Sequence, residues 1–298
     1  SVLAAVDAGC NAVDGALDAL SGLTSQPNLG AIAAALKGSA RDPGVDLAAL
    51  QSLSHYWEGV RHAYAPFEAE IRAGTSDVYN HEMPGGQYTN LREQARAMGL
   101  AHRWPEISRA YAEVNRLFGD IVKVTPTSKV VGDMAIMMVT SGLSRAQVED
   151  PATQIAFPES VVQLMRGDIG QPVGGFPKAL QAKVLNGATP LTVRPGEVLP
   201  PVDLEATRLD VAQKIGREVT DYQLASYLMY PRVFLDYAKD RAAYGDMGRL
   251  PTPAFFYGME PGQEISIDLE RGKTLIVTYV AVSETHDDGT RTVFFELN

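Results

Sequence analysis

VTPTSKVVGD, residues Val124–Asp133, sets a threonine, a serine and a lysine around a proline just ahead of an apolar run. Thr125 before Pro126 has the chemistry of an N-cap followed by the first helical position, where the missing proline N–H costs nothing. That register puts Ser128 at the third helical position. The helix then presents Val130, Val131, Met134, Ala135, Met137 and Met138 to a core. A helix start also offers free backbone N–H groups and the positive end of the dipole, and Lys129 adds a full charge. Two readings follow. A capping threonine, a solvated lysine and a methionine-rich core face account for every residue. The edge of an active site accounts for them too, and local physics alone favours the plainer reading.

Outward from this stretch, helical signals dominate from Asp46 to Tyr244. LAALQSLSHYWEGVRHAYAPFEAEI carries Leu50, Leu53, Trp57, Val60 and Tyr64 at three- and four-residue steps, one apolar stripe. TNLREQARAMGL is predicted to begin on a Thr89 cap and to end at Gly99. ISRAYAEVNRLFG repeats the period with Ile107, Ala110, Tyr111, Val114 and Leu117. SRAQVEDP, ESVVQLMRGD, KALQAKVLNG and DYQLASYLMYPRVFLDYAKD read as shorter helices, and GDIGQPVGGFP and TPLTVRPGEVLPPVD as surface connections. Before them, SVLAAVDAGC reads as helix, AVDGALDAL as a short strand, SGLTSQPN as a loop and LGAIAAALKG as a helix with Pro27 in its first turn. That is one and a half βα units, which cannot close a sheet alone; the rest of such a barrel is expected before Ser1. Ser1 opens on helical pattern without a methionine, so a piece of a longer chain is expected. Past Leu250 the texture turns to strands, EISIDLE and KTLIVTYVAV, with DDGT as a hairpin signal before TRTVFFEL. The chain ends on that strand at Asn298, as a piece cut on this side would.

Composition bounds the partners. A formal charge of −10 and a pI near 5.0 argue against nucleic acid, since phosphate binding needs a basic face. No run approaches the length of a membrane span and no signal peptide is visible, so a cytoplasmic location is expected. The one cysteine, Cys10, allows neither an internal disulfide nor a thiolate zinc cluster, and its small neighbours predict a buried, inert thiol. His55 and His62 are predicted to share a helix face as solvated side chains, and His81-Glu82 lacks the second histidine of a zinc helix. No metal ligand is assigned. Gly85 and Gly86 are predicted to make a turn into the Thr89 cap, and Thr24 and Ser25 to cap a helix rather than catalyse.

HEMPGGQYTNL (His81–Leu91), FGDIVKVTPTSKVVGDMA (Phe118–Ala135), FPESVV with GDIGQPVGGFP, and ASYLMYPRVF together resemble the pyruvate carboxylase family, from end to end of the chain. TSQP and MPGG also occur in oxaloacetate decarboxylase and transcarboxylase subunits, whereas ASYLMYPRVF, FFYG and VFFELN are more particular to pyruvate carboxylases. The resemblance implies a mixed α and β fold. Residues 1–40 would end the carboxyltransferase TIM-type barrel, 41–245 would form a helical funnel, and 246–298 would be part of an allosteric, tetramerising domain. It implies carboxyl transfer from carboxybiotin to pyruvate, giving oxaloacetate. Thr125 would be the proton carrier and pyruvate contact, and Ser128 and Lys129 would hold the biotin ureido group. Thr127 stands where many members have serine, and the hydroxyl is kept. The family's biotinylated lysine lies in an AMKM sequence that does not occur here. Its divalent metal (zinc or manganese), pyruvate-binding arginine, ATP-dependent biotin carboxylase and biotin carrier are also expected outside this chain. A homotetramer and activation by acetyl-CoA would follow from resemblance alone. The alternatives are a non-catalytic scaffold or allosteric module, and a subunit of an oxaloacetate decarboxylase or transcarboxylase.

Overall fold

Helix α4 (Trp104–Leu117) and helix α5 (Thr127–Ser141) carry the core of the first of two compact units in the computed structural model, one ending at Leu199 and the other beginning at Pro200. The structure describes residues 2–298. Ser1, expected to open the first helix, lies outside the described residues. The other main helices of the first unit are α1 (Leu29–Leu36), α2 (Leu47–Tyr64), α3 (Gly85–Ala97), α6 (Glu159–Arg166) and α7 (Lys178–Leu185).

The predicted stripe of α4 is the buried one: Ile107, Ala110, Tyr111, Val114 and Leu117 all face the core. Val130, Val131, Met134, Ala135 and Met138 of α5 meet it, joined by Leu91 of α3, Val161 and Leu164 of α6, and Leu180 and Val184 of α7. Each large apolar side chain removed from water here contributes about 1.5–3 kcal/mol. Gly132 lets α3 approach α5. A Cβ there would lie 2.6 Å from Gln87 Nε2 and 2.9 Å from Leu91 Cδ1. Gly142, at φ 64°, closes α5 in the left-handed conformation that glycine adopts without strain.

The second unit holds α8 (Leu204–Ile215), α9 (Asp221–Met229), α10 (Pro231–Tyr244) and an antiparallel sheet of β1 (Glu264–Glu270), β2 (Lys273–Val282) and β3 (Val293–Leu297) in that order. Ile265 faces Val277, and Tyr279 faces Phe295. The predicted turn forms at Gly289, φ 80°, where Asp288 Oδ1 accepts the Thr290 N–H at 2.9 Å. Val211, Leu224, Phe234 and Ala238 make this unit's helical core. ASYLMYPRVF is broken at Tyr230, and Pro231 starts α10, because proline would interrupt one continuous helix. Sequence patterning does not single out α8, whose one fully buried residue is Val211.

Several local expectations change. AVDGALDAL forms a single parallel bridge, Ala16 with Asn28, and a short turn at Asp18–Leu20, because one extended segment has no ladder to join in this chain. Pro27 lies outside α1, which Asn28 caps by accepting the Ala31 N–H at 2.6 Å. The α2 stripe packs only in part, against α1 and the Asp18–Leu20 turn. Leu53, Trp57 and Tyr64 remain exposed. Cys10 is exposed, not buried, and its thiol donates to the Ala12 carbonyl at 3.1 Å.

Candidate active site

Helix α5 begins at Thr127, one residue later than predicted, and its cap position is Pro126. Thr125 is therefore not the N-cap. The turn is closed instead by the Thr127 hydroxyl, which accepts the Val124 N–H at 3.0 Å and donates to the Val122 carbonyl at 2.8 Å. A hydroxyl at this point satisfies the backbone just before the helix, while the helix's own first N–H groups receive no side-chain cap. The Thr125–Pro126 peptide is cis. Thr125 is left exposed, and its hydroxyl has no intramolecular partner among the described residues.

The three predicted site residues share this helix start but differ in exposure. Ser128 is buried at 4%; its N–H donates to the Val124 carbonyl at 3.1 Å, and its own carbonyl accepts from the Tyr111 hydroxyl at 3.3 Å. Burial pushes the Tyr111 phenol well above its ordinary pKa, so it serves here as a fixed donor. Lys129 reaches into solvent and forms an ion pair at 2.8 Å with Asp133, one turn further along. Asp133 also accepts from Ser160 Oγ at 2.8 Å. The spacing of Lys129 and Asp133 is legible in sequence; the Ser160 partner is not.

Two other motifs converge on the same helices. Lys123, just before the site, pairs with Glu82 at 2.8 Å, and this bond holds the Glu82 carboxyl below the usual range. Thr89 is no cap: it lies inside α3, and its Oγ1 stands 2.7 Å from Thr24 Oγ1 in the SGLTSQP loop. Thr24 and Ser25 cap nothing, since Asn28 does so. Gly85, the first residue of α3, faces the Thr24 carbonyl so closely that a Cβ would collide with it. A cavity of about 360 Å³ opens between the Thr24–Gln26 loop, His81, Gly85 and Tyr88.

His81 is buried at 2%, unlike the exposed His55, His62, His102 and His286, because it turns inward at the end of a single helical turn, Val78–His81. Its Nδ1 accepts the Met83 N–H at 2.9 Å. The neutral ring therefore carries its proton on Nε2, which has no partner. Burial lowers its pKa from 6.5, and Asp77 opposes this in part. The sign follows: the native ring resists protonation, so its contribution is complete above pH 6.5 and is lost as pH falls from there through the depressed folded value. Between pH 7 and pH 5, denaturant titrations should show the wild type losing more stability than His81→Phe; equal losses would refute this. Among the described residues no three His, Cys, Asp or Glu side chains gather in a metal-holding group. No helix among them is long and apolar enough to cross a membrane.

The family model described as the conserved carboxylase domain matches residues 78–278, more than half of the chain, and the chain belongs to that family. Its relatives are pyruvate carboxylases. It is 48% identical over 294 residues to the pyruvate carboxylase of Bacillus subtilis, covering 99% of this chain and 26% of that one. Against the mitochondrial enzyme of Homo sapiens the identity is 45%, covering all of this chain and 26% of the relative. The chain thus spans about a quarter of the length of the curated relatives it matches. The solved carboxyl transferase domain of Rhizobium etli pyruvate carboxylase superposes with a TM-score of 0.94 at 56% identity, over all of this chain and 50% of that one. The same domain solved with pyruvate and biocytin gives 0.95.

Proposed function

We propose that the chain is the carboxyltransferase portion of a biotin-dependent pyruvate carboxylase, moving a carboxyl group from carboxybiotin to pyruvate to give oxaloacetate. The observation that carries the reading is the exposed, unpartnered Thr125 hydroxyl at a helix start that also holds Lys129. The Rhizobium etli domain with pyruvate and biocytin adds support. Carboxybiotin, when bound, would supply the carboxyl group as carbon dioxide and a ureido nitrogen that takes up a proton. Pyruvate loses a methyl proton, and the enolate carbon forms the new bond. Thr125 Oγ1 accepts that proton while donating its own, so no charge is stored on it. Lys129 would supply N–H donors to the ureido oxygen of bound biotin, stabilising negative charge there. Ser128 belongs to the same contact by resemblance.

In this reading residues 1–40 end a TIM-type barrel, supported by the Ala16–Asn28 parallel bridge running into α1. Residues 41–245 are the helical funnel and 246–298 part of the allosteric domain. The metal, the pyruvate-binding arginine, the ATP-dependent biotin carboxylase and the biotinylated lysine belong to other parts of the whole enzyme, so the chain alone is inactive. A homotetramer and acetyl-CoA activation belong to the same reading. Compartment does not follow from the family, since the Homo sapiens relative is named mitochondrial.

Lys129→Ala in the whole enzyme tests the reading. Loss of one charged donor should raise the KM for free biotin about tenfold or more, a change near 1.4 kcal/mol, and leave the KM for pyruvate nearly unchanged. A larger effect on pyruvate than on biotin would sink the assignment.

A further inference from the structure

We infer that Asp133 is the positioning residue for Lys129: it fixes the ammonium that meets the cyclic ureido oxygen of biotin. This rests on the carboxyltransferase reading above. One oxygen, Asp133 Oδ2, takes two hydrogen bonds of 2.8 Å, from Lys129 Nζ and from Ser160 Oγ. The carboxylate is the more buried partner and the lysine the more exposed one, with side chains 14% and 65% exposed. Ser160 is held in turn, because α6 is anchored by the buried Val161 and Leu164 against the core that includes α5. The hydroxyl of one helix thus locks a carboxylate on another, and that carboxylate locks the lysine.

Helix stability does not account for this arrangement. An exposed pair at this spacing contributes about 0.3–0.5 kcal/mol, and lysine before the acid is the less favourable order. Positioning accounts for it better. An ammonium has three N–H donors; Asp133 occupies one, and the others remain for a carbonyl oxygen. Lysine otherwise loses rotamer freedom when a ligand immobilises it, at about 0.5–1.5 kcal/mol, and the Asp133–Ser160 anchor removes much of that cost before biotin arrives.

The test is oxaloacetate decarboxylation by the intact holoenzyme with free biotin as acceptor. Asp133→Asn should raise the KM for biotin about three- to tenfold, with kcat and the KM for oxaloacetate within about twofold. Asp133→Glu should restore part of the loss, and Ser160→Ala should shift the same constant by a smaller factor. In a Lys129→Ala background, Asp133→Asn should add nothing, because the residue it positions is gone. An unchanged KM for biotin in Asp133→Asn, or an additive loss in the double variant, overturns the inference while Lys129→Ala still supports the site. If Lys129→Ala itself leaves biotin affinity intact, the site reading falls and the inference with it. Should Asp133→Asn fail to fold, Ser160→Ala decides alone: an unchanged KM for biotin overturns the inference.

Discussion

Thr125→Ala in the whole enzyme is expected to lower oxaloacetate formation by about 10²- to 10⁴-fold, the usual worth of a positioned proton carrier. ATP-dependent carboxylation of biotin should survive, because the proposed function assigns that chemistry to another part of the enzyme. The structure makes this a clean experiment. Had Thr125 been the N-cap, alanine would cost helix stability of about 1 kcal/mol and blur the result. Its hydroxyl is exposed and unpartnered, so the variant should fold within about 0.5 kcal/mol of the wild type. The turn before the helix is closed by Thr127, whose bonds to Val124 and Val122 are untouched. Thr125→Ser keeps the transferable proton and should retain much of the activity. The measurement is carboxyl transfer from oxaloacetate to free biotin beside a thermal melt. Collapse with an intact fold supports the proton carrier; full activity reduces Thr125 to surface.

Gly85→Ala and Gly86→Ala should move stability in opposite directions although the residues are adjacent. A Cβ on Gly85 collides with the Thr24 carbonyl oxygen and lies 3.0 Å from the carbonyl carbon. Both are backbone atoms that no rotamer change can move. The start of α3 must then separate from the SGLTSQP loop, breaking the Thr24–Thr89 contact, at a cost of roughly 3 kcal/mol. Gly86 meets nothing within 4 Å and sits inside the same helix, where alanine is favoured over glycine by about 0.5–1 kcal/mol. Hydrogen exchange of residues 23–27 and 85–90 in the intact protein reads both effects: protection lost in the first variant, kept or increased in the second. Equal behaviour of the two would contradict the close approach.

What the sequence determined is what depends on neighbours along the chain. The stripe from Ile107 to Leu117 and the face from Val130 to Met138 repeat at the helical period and are buried within this chain, so pattern and outcome agree. The hairpin at Gly289 is equally local. The same pattern on α2 was as clear, yet Leu53 and Trp57 are exposed, because periodicity says which face is apolar and not whether anything covers it. Resemblance proposes Thr125, Ser128 and Lys129 as site residues; the exact start of their helix was not legible, since Thr125 and Thr127 carry the same side chain and only the folded turn engages Thr127.

Tertiary structure decided the rest. Thr24 and Thr89 stand 65 residues apart in the chain, and Asp133 and Ser160 stand 27 apart. Whether Gly85 is a turn or a close approach depends on a carbonyl in a distant loop, and whether His81 is solvated or buried depends on which way one short turn faces. A side chain's chemistry is fixed by its own atoms, but its partner, its exposure and its freedom to move are fixed by the distant segments that packing brings against it.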